Sequence, residues 1–130
     1  MFRRAVAAGQ HVPPDVRCYL HGGVLGLGDV DAARRIAEEM RRERPADGDV
    51  YRFLGENHEL AGDLREAHRW LTMGARWAFN EIEDGDDRAA EDAAGLLMAR
   101  VRVRRALGLP LDKYDALVAS ALLNERAASD

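Results

Sequence analysis

The feature that most constrains the fold is a Gly-Asp pair that recurs at a separation of 34 residues, as Gly28-Asp29 and Gly62-Asp63, with the same apolar pattern after each pair. After each pair, small and apolar residues recur at steps of three and four: Val30, Ala33, Ala37 and Met40, then Leu64, Ala67, Leu71, Gly74 and Ala78. Such steps place side chains on one face of a helix. Glycine can end a helix and aspartate can cap the next one. The pattern therefore predicts two helix pairs, each joined by a Gly-Asp turn.

Residues 48–81 resemble a tetratricopeptide repeat, a helix–turn–helix unit of 34 residues. The residues that carry the resemblance are Tyr51, Leu54, Gly55, Gly62, Asp63, Ala67, Leu71 and Gly74. His58 stands where the family usually has tyrosine. A less regular copy spans residues 14–47, in which Arg17, His21 and Ala37 depart from the family pattern. The resemblance implies an all-α fold, built as a right-handed stack of antiparallel helix pairs.

We expect a single helical domain in four parts. An N-terminal half-helix and loop (1–13) precede the two repeats (14–47 and 48–81), and a modified third repeat (82–130) caps the stack. In this last part, Gly108 and Pro110 separate a long helix from a final helix that Asp112 caps. Basic residues close the long helix and complement its dipole: Arg100, Arg102, Arg104 and Arg105. Residues 101–110 also resemble the tail of actinobacterial SEC-C repeat proteins, but the cysteine-rich zinc motif is absent.

Composition excludes several classes of protein. The chain is 47% hydrophobic and 32% charged, which is too apolar for a disordered protein. Its net charge of −4 argues against a general nucleic-acid binder. A single cysteine, the lack of an apolar run of about 20 residues and an N-terminus too short in apolar residues for a signal peptide predict a soluble, cytoplasmic protein. Lys113 is the only lysine, and this bias toward arginine is typical of a high-GC bacterial genome.

No motif in the sequence predicts catalysis, a cofactor or a metal. Cys18 and His21 have the spacing of half a zinc site, but no second pair completes it. Residues 80–91 place Gly85 and Glu91 as in an EF-hand loop, yet Asn80 and Ile82 stand where acidic ligands belong. Trp70 and Trp77 are expected in the core, and His58 is expected to make a contact within its repeat.

The resemblance implies a concave groove lined by the first helix of each repeat. Carried over onto this sequence, the groove residues are Asp15, Cys18, Gly22, Leu25 and Gly26, then Asp49, Arg52, Glu56, Glu59 and Leu60. This mixed surface predicts a non-enzymatic module that binds a peptide or helix with a basic element. Three alternatives stay open: an ordinary solvated helix face, a self-associating scaffold that forms a homo-oligomer, and a docking or regulatory subunit of an enzyme encoded elsewhere.

Overall fold

The computed structural model describes residues 15–45, 48–83 and 87–119, and the side chains of all of these except 81–92. The helices are α1 (Val16–Gly26), α2 (Val30–Arg42), α3 (Gly48–Leu60), α4 (Leu64–Glu83) and α5 (Asp87–Ala106). Residues 113–119 are also helical and are named α6. These ranges contain helices and no strand, so the predicted all-α class is confirmed. The predicted half-helix in residues 1–13 and the part of the predicted final helix beyond residue 119 lie outside the described residues.

Three helix ends share one geometry, in which a glycine takes a left-handed conformation with φ of 82°, 84° and 72° at Gly28, Gly62 and Gly108. The N–H after each glycine donates to the carbonyl five residues earlier, at 2.9–3.0 Å. This is the Schellman motif, which satisfies carbonyls that the helix end leaves unpaired. Asp29 and Asp63 then accept from the N–H groups of Ala32 and Glu66, at 3.1 and 3.2 Å. The two predicted Gly-Asp turns are therefore confirmed.

The helices pack most closely where α3, α4 and α5 meet. A Cβ atom added to Gly74 of α4 would lie 2.6 Å from the Cβ atom of Tyr51 and 2.9 Å from Leu96 on α5. A Cβ atom added to Gly55 of α3 would lie 2.7 Å from Leu71 and 3.4 Å from the carbonyl oxygen of Ala67. Ala67 is fully buried, as its position in the repeat predicts. The two glycines thus allow α4 to pack closely against α3 and α5.

The tryptophans pack beside this junction. Trp70 is buried, and its ring lies 6.4 Å from that of Tyr51 between centroids. Trp77 is only half-buried, and its ring stacks on that of Tyr51 with centroids 6.1 Å apart. The Tyr51 hydroxyl donates to the carbonyl of Pro45 at 3.1 Å. The prediction of a core position is confirmed for Trp70, whereas Trp77 covers the edge of the core.

Two arginines of α5 form a buried ionic network instead of serving only the helix dipole. Arg100 donates to Asp112 at 2.7 Å, and Arg104 donates to Asp115 at 2.9 Å. Arg104 also contacts the Nε2 atom of His68 on α4 at 2.8 Å. Arg100 and Asp115 are buried, so these arginines have a role in the core that the sequence-based account of the helix dipole did not include. The network joins α6 to α5 and α4.

Adding a methyl group at the helix junction should destabilise the fold. Gly74→Ala should lower the free energy of unfolding by about 1–3 kcal/mol, because the new Cβ atom meets a backbone-linked atom of Tyr51 that cannot move freely. Gly26→Ala is the matched control, since nothing lies within 4 Å of its added Cβ atom. Urea denaturation of both variants measures the difference. Equal stabilities would contradict the close approach at Gly74.

Breaking the buried ionic network should cost more than breaking an exposed ion pair. Asp115→Ala should lower the free energy of unfolding by roughly 3–5 kcal/mol, because it removes the buried carboxylate that pairs with Arg104 at 2.9 Å and with Arg100 at 3.4 Å. Glu39→Ala, which removes an exposed partner of Arg17, should cost less than about 1 kcal/mol. Thermal melts compare the variants. An Asp115 variant as stable as the Glu39 variant would refute a structural role for the network.

Candidate protein-binding surface

Three of the predicted groove residues lie together and meet α5. Arg52, Glu56 and Glu59 share one face of α3 because they follow at steps of four and three. Arg52 donates to Glu56 at 2.8 Å. Arg102 of α5 donates to both carboxylate oxygens of Glu59, from Nε and Nη2, at 2.7 Å each. We call these four residues the α3–α5 charged surface.

The charged surface borders on a glycine of α5, against which the side chain of Arg52 lies. A Cβ atom added to Gly95 would overlap the Nη1 atom of Arg52, so the guanidinium group lies directly over this position. Gly95 and Arg102 are seven residues apart and therefore share a face of α5. The ion pair with Glu59 holds the proton on Arg102 and raises the pKa of its guanidinium group, with a smaller contribution from Glu56. The arrangement is a bidentate arginine–carboxylate pair at the protein surface.

The remaining predicted residues are less closely grouped. Leu60, at the end of α3, is 88% exposed. Asp49 is half-buried in the first turn of α3, and Leu25 is half-buried in α1. Asp15 caps α1 by accepting from the N–H of Arg17 at 2.8 Å, and its carboxylate also pairs with the Arg17 guanidinium group at 2.7 Å. Asp15 therefore belongs to a second ionic cluster, between α1 and α2.

Cys18 does not line an open surface, which corrects the prediction made for it. Its side chain is fully buried between α1 and α3, and Asn57 donates to its carbonyl oxygen at 2.9 Å. A Cβ atom added to Gly22 would meet the side chain of Asn57 at 2.9 Å, so Gly22 also faces α3. The resemblance to a tetratricopeptide repeat implies that this side of the first helix lines a groove. In the structure this side of α1 faces Asn57 of α3 instead.

The sequence-based prediction missed three residues of this surface. Tyr19 of α1 contacts Phe53 of α3 edge to face, with ring centroids 4.8 Å apart, and remains 57% exposed. Arg102 was expected only to complement the dipole of its helix. The signal for Tyr19 and Phe53 was available, because they lie 34 residues apart, at equivalent positions of the two predicted repeats. The partner of Arg102 lies 43 residues away, which no local pattern reveals.

Two histidines are buried beneath this surface. The rings of His21 and His58 meet edge to face, with centroids 4.8 Å apart, and Asn57 Nδ2 lies 3.1 Å from His21 Nδ1. Among the described residues, His21 Nε2 and His58 Nδ1 have no hydrogen-bond partner. Burial, together with the neighbouring His58, lowers the pKa of His21 to about 4. Burial also lowers the pKa of His58, against the opposing charges of Glu66 and Asp63. Both imidazoles are therefore neutral at pH 7.

A small cleft is lined in part by His58. Its volume is about 300 Å³, and its lining is of mixed charge: Val30, Arg34, Ala37, Glu38, His58, Asp63, Glu66 and Arg69. Arg69 pairs with Glu66 at 3.0 Å and with Glu38 at 3.8 Å. Because these charges neutralise one another, the cleft is a weaker candidate for binding a charged partner than the bidentate pair at Glu59.

Within the part of the chain whose side chains are described, no three His, Cys, Asp or Glu residues form a group that could hold a metal ion. The EF-hand-like segment at residues 80–91 lies almost wholly outside the described side chains. No helix in the described ranges is long and apolar enough to cross a membrane. The chain matches no known protein-family model, no curated protein and no solved structure.

The buried histidines should make the fold sensitive to mild acid. Their folded-state pKa values lie below the unfolded value of about 6.5, so the unfolded chain binds protons more readily as pH falls. Stability should be fully present above pH 6.5 and should decline toward pH 4. Urea denaturation at a series of pH values measures this decline. The variant His21→Leu should lose stability less steeply over the same range, and a wild-type stability that stays constant from pH 7 to pH 5 would contradict the assignment.

Proposed function

We propose that this chain is a non-enzymatic protein-binding module of the cytoplasm, and that its helix pairs form a short right-handed stack like that of tetratricopeptide repeats. The partner is a peptide or helix with an arginine or lysine, and it binds across α1, α3 and α5. The observation that carries the proposal is the bidentate pair between Arg102 and Glu59. It supports the proposal because Glu59 already binds a guanidinium group of this chain with both carboxylate oxygens, and an arginine of a partner could bind in the same way.

The exposure of the charged surface makes such an exchange inexpensive. The side chains of Arg102 and Glu59 are 53% and 21% exposed. Exposed ion pairs contribute only about 0.2–1 kcal/mol, so a basic side chain from a partner can replace Arg102 at little cost. The aromatic pair of Tyr19 and Phe53 and the exposed Leu60 add apolar contact area beside the carboxylates. Aromatic side chains next to charged pairs are common in peptide-binding sites.

Neutralising the two carboxylates should weaken binding without unfolding the protein. We expect Glu56→Gln with Glu59→Gln to weaken a basic partner that co-purifies from native cells, and the loss should shrink at high salt. Arg102→Gln should have the opposite effect and strengthen binding, because it removes the internal competitor for Glu59. Binding isotherms and thermal melts on each variant supply the measurement.

The ionic cluster between α1 and α2 provides a matched control. Glu39 and Glu43, four residues apart where Glu56 and Glu59 are three apart, likewise share an arginine, Arg17. Glu39→Gln with Glu43→Gln should therefore leave binding unchanged. If the Glu56/Glu59 variant binds normally and a change of Arg69 abolishes binding, the partner binds at the cleft around Arg69. That result would refute the proposal.

A further inference from the structure

Helix α1 carries an apolar stripe on the side that faces away from the core. Val16, Leu20 and Leu27 are 77%, 56% and 86% exposed, and Gly23 lies between them. These four residues follow at steps of four, three and four, so they form one continuous line. We call this line the α1 seam. The opposite face of the helix buries Cys18 and His21, so α1 is apolar on both sides, as expected of a helix that is covered on both sides.

The seam carries no charge. The eleven residues from Cys18 to Gly28 contain no Asp, Glu, Lys or Arg, although 32% of the chain is charged. The charged residues at the start of α1 face α2, where Arg17 pairs with Glu43 at 2.6 Å. A charged side chain pressed against the seam would lose its hydration without gaining a partner. The complementary surface must therefore also be apolar and uncharged.

The spacing of the seam is symmetric about its midpoint. Val16 and Leu27 lie equally far from the point between residues 21 and 22, and so do Leu20 and Gly23. Two antiparallel copies of α1 would therefore place Val16 opposite Leu27 of the second copy, and Leu20 opposite Gly23. This reciprocity is what a two-fold interface requires. The side chain of Leu20 would occupy the space that the missing side chain of Gly23 leaves.

The same arrangement accounts for an otherwise unexplained glycine. Nothing lies within 4 Å of a Cβ atom added to Gly23, whereas one added to Gly22 would meet Asn57. Contacts among the described residues thus require Gly22 but give no reason for Gly23, which weakens the helix relative to alanine. We propose that two copies of this chain associate through antiparallel α1 seams. This association uses none of the residues of the α3–α5 charged surface and goes beyond the proposed binding function.

Sedimentation equilibrium on the full chain tests the association. The wild type should form a dimer, and Leu20→Glu should raise the dimer Kd by about tenfold or more, because it places two carboxylates in an uncharged interface. Leu111→Glu is the matched control, since Leu111 is 73% exposed but lies outside α1, and this variant should dimerise like the wild type. A wild type that stays monomeric would overturn the proposal, and so would a dimer that Leu20→Glu leaves intact.

Disulfide trapping tests the antiparallel arrangement. A mixture of the Val16→Cys and Leu27→Cys chains should form a mixed disulfide, because these positions face each other across the two-fold axis. Val16→Cys alone should not cross-link, since its two copies would lie about 16 Å apart along the helix axes at a rise of 1.5 Å per residue. The wild type serves as the control, because its native Cys18 is buried. A disulfide between two Val16→Cys chains would overturn the antiparallel arrangement.

Discussion

The structure depends on the close approach of α4 to the helices on either side, which two glycines permit. At Gly55 and Gly74 the added Cβ atoms would lie 2.6–2.7 Å from neighbouring carbon atoms, so any larger residue would force the helices apart. The α3–α5 pairing rests on this approach, because α3 and α5 both pack against α4 as well as against each other. The spacing fixed at the glycines is what brings Arg102 within reach of Glu59.

Charged residues play two different roles in this small domain. Arg100 and Arg104 are buried and share Asp115, so they anchor α6 and are costly to disturb. Arg102, in the same helix, points to solvent and forms an exposed pair that can be exchanged at little cost. The positions along α5 explain the difference. Arg102 is two residues from both Arg100 and Arg104, and residues two apart face roughly opposite sides of a helix. One helix can therefore supply both a structural anchor and a binding contact.

Much of the fold could be predicted from the sequence because its signals are local. Each Gly-Asp turn is determined by neighbouring residues, and the burial of Ala67 follows from the periodicity of α4. The position of Cys18 could not be predicted in this way, because it depends on Asn57, which lies 39 residues away. The resemblance to a tetratricopeptide repeat grouped Arg52, Glu56 and Glu59, but it did not reveal their partner on α5, Arg102, which lies 43 residues from Glu59.

The central claim is that the surface formed by α1, α3 and α5 is where a basic segment binds. An NMR titration of the ¹⁵N-labelled full chain with a short arginine-containing peptide tests this claim most directly. We predict that the largest shift changes occur at the Arg102 guanidinium group and at the backbone amides of Arg52, Glu56 and Glu59, with little change in α2. Shift changes confined to α2 and the cleft around Arg69, or no saturable change at all, would contradict it.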